Sequence, residues 1–312
     1  MIYYLDQAEV RFLTHELLPR IRSNPVDERL RGWNWHQPPL KPYTYEIPLS
    51  VWEVAARICP TNRDVWVRRR IIKRSVPTTP HIAKGIIIHR IISGLFKEAK
   101  KNVYLGMYRG LREKLVNRGA EIIEEEIKNM SRYVDLSRSI DEIRGFGSEI
   151  IEYLTISIEN KVLEVKAKYP FLDHEGLVNL VFPFAVELAI DGRFLGLSRY
   201  LRADASWIFG GIVYDVKTGY RQRWHRIQVA GYALAIESFY ERPVDIGGVI
   251  YVSRSRGGLR IEKDFFPITD DLRSRFLENR DELQMMLLKD KEPPVADKCP
   301  KTCLLHRYCH GG

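Results

Sequence analysis

Long apolar runs and a secretory leader are both missing from this chain. Its 312 residues contain no uninterrupted apolar stretch of about 18, the length that a membrane-spanning helix needs. The first ten residues include acidic side chains and lack both the basic start and the small-residue cleavage site of a signal peptide. We therefore expect a cytoplasmic protein without membrane attachment, and the 45% hydrophobic content predicts a substantial folded core.

Cysteine is also scarce, and its positions are uneven. One cysteine is early in the chain and three fall within the last fourteen residues: Cys59, Cys299, Cys303 and Cys309. In a reducing compartment, such a cluster predicts metal binding rather than disulfides. Four thiolates suit a structural zinc ion or an iron–sulfur cluster, and His306 or His310 could replace one cysteine at a zinc site. With Cys59 as the fourth ligand, the metal would tie the front of the chain to its end.

Positive charge is concentrated in one part of the sequence. The formal net charge is +9, yet residues 51–120 alone contain sixteen Lys and Arg against four Asp and Glu. The densest basic segment covers residues 68–74 and contains Arg68, Arg69, Arg70, Lys73 and Arg74. A polyanionic partner such as nucleic acid fits this asymmetry, and so does a solvated basic surface.

Periodicity predicts a mostly helical first half followed by a mixed α/β core. We expect helices over residues 7–22, 52–58, 82–101, 104–159, 221–240 and 269–288, and a basic helical segment ending near residue 74. We expect strands over residues 162–168, 184–190, 199–205, 211–217, 247–252 and 259–265. The pattern divides the chain into a helical region over 1–160, a core over 161–290 and a cysteine tail over 291–312.

Two carboxylates and a lysine meet on neighbouring predicted strands. Asp204 lies near the end of one strand, and Asp215 and Lys217 share a face of the next because alternate residues point the same way. Carboxylates bind hard divalent cations such as Mg²⁺ or Mn²⁺, which activate water and neutralise phosphate charge. A lysine there can position the water or stabilise the transition state. Taken alone, this pattern is more often a surface ion pair.

Two predicted helices each carry a further pair of candidates. Gly85 and His89 are four residues apart on one helix, and Gln228 and Tyr232 are four apart on another. Residues with this spacing share a helix face. Because His89 interrupts a run of isoleucines, its usual interpretation is a core or boundary histidine rather than a metal ligand.

In chain order, these residues resemble a known motif series. The series Gly85-x3-His89, Asp204, Asp215-x-Lys217, Gln228-x3-Tyr232 is similar to that of the RecB-like branch of the PD-(D/E)XK nucleases. With one cysteine before these motifs and three after them, the chain resembles the iron–sulfur exonucleases associated with CRISPR loci. The string at residues 202–207 is similar to an archaeal subtype linked to spacer acquisition. The resemblance covers residues 50–312.

The resemblance implies a fold and an activity. The fold would be α/β and restriction-endonuclease-like, with a mixed sheet flanked by helices, a helical N-terminal half and a C-terminal iron–sulfur clasp. Residues 161–290 would be the RecB-like nuclease core. The activity would be that of a metal-dependent DNA exonuclease, acting 5′→3′ on single strands or DNA ends. Its context would be CRISPR spacer acquisition, beside the integrase and other adaptation proteins.

The resemblance also implies roles for individual residues. His89, Asp204, Asp215 and the Val216 carbonyl would bind Mg²⁺ or Mn²⁺, with Lys217 as the catalytic lysine. Gln228 and Tyr232 would position DNA or support the site. A [4Fe–4S] cluster would be held by Cys59, Cys299, Cys303 and Cys309. The Cys-x3-Cys spacing at 299–303 departs from the more usual Cys-x2-Cys, which leaves [2Fe–2S] and zinc open. Glu187 is an alternative acidic ligand.

The basic segment gains a meaning in this context. It follows Cys59, so a cluster there would fix residues 68–74 against the tail and form a cationic channel. Trp52, Trp66 and Trp224 would be available to stack on bases, although each is more often a core residue. Two alternatives remain: a non-catalytic iron–sulfur scaffold that binds DNA, and a nuclease partner in recombinational repair whose helicase is a separate protein.

Overall fold

The computed structural model describes residue 3 and residues 5–72, 78–255, 257–299 and 303–310. The N-terminal half is helical: α1 (Gln7–Arg11), a π-helical turn (Phe12–Leu17), α2 (Leu18–Ser23), α3 (Val51–Ala56), α4 (Arg63–Trp66), a second π-helical turn (Val67–Ile72), α5 (Pro80–Tyr104), α6 (Leu111–Met130), α7 (Ile140–Lys168) and α8 (His174–Val181). The later helices are α9 (Trp224–Tyr240), α10 (Asp270–Leu288) and α11 (His306–His310). Within the described residues, no helix is long and apolar enough to cross a membrane.

The described strands form one five-stranded mixed sheet. They are β1 (Ala185–Ile190), β2 (Leu201–Trp207), β3 (Ile212–Lys217), β4 (Ile246–Ser255) and β5 (Gly258–Pro267), in spatial order β1-β2-β3-β4-β5. Neighbours are antiparallel except β3 and β4, which run parallel and are joined through α9. The predicted α/β class with a mixed sheet and flanking helices is confirmed.

Helices cover both faces of the sheet. Buried side chains of one face, including Tyr214, Val216 and Ile250, join a core built by α5, α6, α7 and α8. Side chains of the other face, such as Val213 and Val249, pack in a second core with α3, α9 and α10. The polar candidates on the sheet lie where the ladder between β2 and β3 ends.

One predicted strand is wrong. Residues 162–168 belong to helix α7, which continues to Lys168. Their sequence alternates between apolar and polar residues, but Val162 and Val165 are buried at the helical spacing that Leu154 and Ile158 begin. The boundary between residues 160 and 161 therefore falls inside α7. The predicted basic helical segment is described only to residue 72, and Lys73 and Arg74 lie outside the described residues.

A buried charge network attaches residues 27–34 to the core. Glu237 on α9 is fully buried and accepts from Arg273 at 2.7 and 3.0 Å. It also accepts from Arg31 at 2.9 Å and from the Gly32 amide at 2.9 Å. Buried charges are tolerated when they are paired and fully hydrogen-bonded. This network explains how a loop without any recognisable motif becomes part of the α9–α10 layer.

Candidate active site

The candidate site lies where strands β2 and β3 separate. Their last ladder pair on this side is Ala205 with Tyr214, so Asp204 and Asp215 come directly after it. The Asp204 carboxylate replaces a backbone acceptor at this point, since its Oδ2 accepts the Val216 amide at 2.7 Å. The end of the ladder therefore holds the Asp204 side chain next to Asp215.

Helix α5 brings His89 to the same place. His89 Nδ1 lies 3.5 Å from Asp204 Oδ2, and both side chains are partly exposed, at 32% and 24%. Four residues earlier, a Cβ on Gly85 would lie only 3.1 Å from Thr218 Oγ1. The missing side chain at Gly85 thus allows α5 to approach the end of β3, which places His89 over the carboxylates.

Lys217 connects the strand to helix α9. Its Nζ lies 2.8 Å from Asp215 Oδ2 and donates to Gln228 Oε1 at 3.0 Å. Tyr232, one turn later on α9, lies beside Gln228. Burial raises the pKa of Tyr232, and the charges of Asp215 and Asp204 raise it further, so its hydroxyl stays protonated. The structure therefore brings the two strand motifs and both helix motifs together.

Asp215 is the most deeply buried charged group of the site. Burial raises its pKa; the Lys217 ammonium opposes that shift, and the negative charge of Asp204 adds to it. Its Oδ2 atom, apart from the ion pair with Lys217, has no hydrogen-bond partner among the described residues. A buried carboxylate oxygen in this condition is suited to a cation.

The candidate site has the donor groups of a cation site but not the spacing of one. An imidazole and two carboxylates, from His89, Asp204 and Asp215, are chemically suited to a divalent cation. In the described ranges, however, no three His, Cys, Asp or Glu side chains converge closely enough to form a ready-made metal site. Each carboxylate instead has an internal partner: Asp204 has the Val216 amide and Asp215 has Lys217.

Two residues that were not among the predicted site residues, His225 and Tyr251, pack next to Lys217. His225 is 3% exposed, and its Nδ1 accepts from the Gln222 amide at 3.4 Å and lies 3.0 Å from Tyr251 Oη. Burial lowers the pKa of His225 to about 4, helped by the nearby Lys217 charge. Tyr251 is paired with Lys217 across the β3–β4 ladder. No local pattern links His225 to Tyr251, which lies 26 residues further along the chain on β4.

Tyr3 also lies close to the site, which no motif indicated. Tyr3 is buried, and its ring packs against Phe96 and Phe184, with centroids 4.9 and 5.2 Å apart. Burial raises the pKa of Tyr3, and the charge of Asp204 raises it further. This tyrosine therefore remains a neutral wall of the site.

Glu187, the alternative ligand, lies in a distorted part of β1. The β1–β2 ladder is interrupted at this residue, which lies opposite Asp204 and has a positive φ of 49°. Such a conformation costs a non-glycine residue about 1–3 kcal/mol and is typical of functional sites. Glu187 Oε2 lies 2.7 Å from Lys97 Nζ and 3.6 Å from Arg202 Nη1. Two basic side chains thus contact the Glu187 carboxylate.

The tail cysteines lie near Cys59 although their sequence positions are far apart, but within the described residues no three of these thiols converge as a ready-made metal site. All four are free, half-buried thiols. The pKa of Cys299 is raised by desolvation and then by each of the neighbouring thiols of Cys303, Cys309 and Cys59. Arg63 holds the same junction, because it donates to the Pro293 carbonyl at 2.6 Å and pairs with Glu292 at 2.5 Å. The loop after α3 and the C-terminal tail therefore lie against each other.

The described basic side chains of the 68–74 segment mostly pair with other residues of the protein. Arg69 pairs with Glu53 at 2.6 Å, and Arg70 pairs with Asp290 at 2.8 Å. The guanidinium of Arg68 lies 4.7 Å from the centre of the Trp52 ring. Trp52 and Trp66 are both half-buried, as is Trp224, whose ring centre is 5.5 Å from Lys217 Nζ.

Fold and site together define a mixed α/β protein in which two carboxylates, a lysine and a histidine meet where the ladder between two neighbouring strands ends. This set of groups is suited to hydrolysing a charged ester.

Comparison with known proteins specifies this class further. The family described as CRISPR-associated exonuclease Csa1 matches residues 1–312. A CRISPR-associated exonuclease Csa1 of Saccharolobus solfataricus is 31% identical over 307 residues, which cover 96% of this chain and 99% of that protein. One from Thermoproteus tenax is 27% identical over 284 residues, 91% of each chain. The chain therefore belongs to the CRISPR-associated exonuclease Csa1 family, which confirms the predicted family and extends the match to residues 1–49.

Proposed function

We propose that this protein is a metal-dependent DNA exonuclease. Its two curated relatives are named as CRISPR-associated exonucleases, and they align over nearly the whole chain. The observation that carries the proposal is the Asp215–Lys217–Gln228 chain of contacts, at 2.8 and 3.0 Å, beside Asp204 and His89. A lysine held between a buried carboxylate and a buried amide, next to a second carboxylate and a histidine, combines the groups that metal-assisted phosphodiester hydrolysis needs.

Each residue has a chemical role in this proposal. His89, Asp204, Asp215 and the Val216 carbonyl would hold Mg²⁺ or Mn²⁺. The bound cation lowers the pKa of water and neutralises charge that develops on a phosphate. Lys217, which is fixed by its two partners, would stabilise the negative charge that develops on the phosphate.

The fold supports the restriction-endonuclease-like class that the motifs imply. Strands β1, β2 and β3 form an antiparallel unit, and α9 then crosses over to a parallel β4. This order places the ends of β2 and β3 beside α9, where Gln228 can reach Lys217. We take this as the PD-(D/E)XK core, with α5 as the helix that carries His89.

We further propose that the cysteine junction holds a [4Fe–4S] cluster. Four thiols with Arg63 beside them supply the ligands and part of the compensating charge that such a cluster requires. The cluster would clamp the tail to the Cys59 loop and so stabilise the fold. It would not take part in hydrolysis.

The family name and the motifs support a proposal for the cellular role. We propose single-strand cleavage in the 5′→3′ direction during CRISPR spacer acquisition, in the cytoplasm, beside an integrase and other adaptation proteins.

Cleavage of labelled single-stranded DNA tests the proposal. Purified protein with Mg²⁺ or Mn²⁺ should shorten a strand labelled at its 3′ end, and chelation should stop the reaction. Asp215→Asn should abolish cleavage because it removes a charge from the cation site, whereas the exposed control Glu164→Gln should retain it. Full cleavage by Asp215→Asn, or equal cleavage without divalent cation, would contradict the proposed function.

A further inference from the structure

A groove of about 490 Å³ opens beside the candidate site. The loop after β3 forms one wall with Thr218, Gly219, Tyr220 and Arg221. Helix α5 contributes Lys84, and strands β4 and β5 contribute further basic side chains. Since this loop begins directly after Lys217, the groove leads to the proposed reaction centre.

Tyr220 is the exceptional residue of this groove. It is 90% exposed, although the loop that carries it joins a buried strand to a buried helix. Among the described residues its ring makes no ring contact and its hydroxyl makes no hydrogen bond. The space next to Gly219 is also open, because a Cβ at that glycine would meet no atom within 4 Å. The ring is therefore free to receive a flat ligand.

The groove lining has more positive than negative side chains, with Lys84, Arg221, Arg254 and Arg260 against Glu142 and Glu262. Lys84 pairs with Glu142, Arg221 with Asp264 at 2.7 Å, and Arg254 with Glu149 at 2.7 Å. In each pair one partner is well exposed, at 55% for Glu142, 59% for Arg221 and 44% for Arg254. A phosphate in the groove can therefore compete with the carboxylates for these three basic side chains.

We propose that Tyr220 stacks on a base of an unpaired nucleic-acid strand while Lys84, Arg221 and Arg254 contact its phosphates. An aromatic ring beside a positively charged groove is how proteins bind single strands without reading sequence. The inference rests on the proposed nuclease function and adds a residue that positions the substrate strand. A paired duplex keeps its bases inside the helix, so this groove selects unpaired strands or frayed ends.

Binding without cleavage tests the inference. Affinity for a fluorescent single-stranded oligonucleotide is measured in the absence of added divalent cation. Stacking contributes about 1–3 kcal/mol per base, so Tyr220→Ala should weaken binding by about 5- to 150-fold. Tyr220→Trp should bind like the wild type. The matched control is Phe209→Ala, which removes an aromatic side chain that is 93% exposed at the opposite end of β3.

An abasic site separates stacking from a general loss of affinity. The wild type should lose affinity when a single abasic nucleotide occupies one particular position of the oligonucleotide. Tyr220→Ala should be insensitive to the abasic nucleotide at that position, because the stacking partner is already gone. Arg254→Gln should instead lower the slope of log affinity against log salt by about 0.7.

The outcomes distinguish this inference from the proposed catalysis. Wild-type affinity in Tyr220→Ala, or an equal abasic penalty in both proteins, would overturn the inference even if cleavage is observed. A position-specific abasic penalty that disappears in Tyr220→Ala would support it even if no metal activates cleavage.

Discussion

Replacement of Gln228 tests how the lysine is positioned. The Lys217 ammonium has two partners, Asp215 Oδ2 at 2.8 Å and Gln228 Oε1 at 3.0 Å. Gln228→Met keeps the length and volume of this 5% exposed side chain but removes the acceptor. A hydrogen bond to a charged group contributes about 1.5–3 kcal/mol. If Lys217 needs that bond in the transition state, the cleavage rate should fall by about 10- to 150-fold.

Single-turnover cleavage with saturating enzyme is the assay. Gln228→Glu keeps an acceptor for the ammonium, so its rate should be closer to the wild type than that of Gln228→Met. The matched control is Gln7→Met, at an exposed position on α1. Wild-type cleavage by Gln228→Met, with unchanged urea unfolding, would refute the positioning role of Gln228.

Three other predictions address the fold and its cofactor. Glu237→Gln leaves buried Arg273 without its counter-charge, so the free energy of unfolding in urea should fall by about 3–5 kcal/mol. The exposed control Glu164→Gln should change the free energy of unfolding by less than about 0.5 kcal/mol, and equal effects of the two substitutions would contradict the stabilising role of the Glu237 network. The pKa of buried His225 is about 4, below its usual 6.5, so the unfolded chain takes up a proton before the folded protein does as the pH falls from 6.5 to 4. The folded state therefore loses stability over that range, and the urea midpoint of His225→Gln should fall less than that of the wild type. Anaerobically purified protein should contain about four iron atoms per chain, and Cys303→Ser should lower that number; zinc in their place would contradict the cluster.

The strands of the site could be predicted because their signals are local. Glycines at residues 210 and 211 mark the turn between β2 and β3, and the apolar run of β3 suits a strand buried on both faces. Gly85 and His89 were placed on one helix face by their spacing, and α5 has them so. In contrast, residues 162–168 fit both a period of two and the helical period. Only packing against the neighbouring helices decides between them, so the strand prediction was wrong.

The remaining features depend on contacts between distant parts of the chain. Arg31 reaches Glu237 across 206 residues, and no local pattern marks either residue as buried. The neutral His225 depends on Tyr251 from another strand. The positive φ of Glu187 arises where the β1–β2 ladder is interrupted, which a strand-like sequence does not reveal. Such features follow from tertiary packing, and sequence periodicity carries no record of it.

Removal of the Lys217 ammonium is the most direct test of the proposed active site. Wild type, Lys217→Ala and the exposed control Lys128→Ala are compared in Mn²⁺ by the rate at which each shortens a labelled single strand, with urea unfolding to confirm that all three are folded. The account predicts that Lys217→Ala loses cleavage while Lys128→Ala keeps the wild-type rate. A folded Lys217→Ala protein that cleaves at the wild-type rate would contradict it.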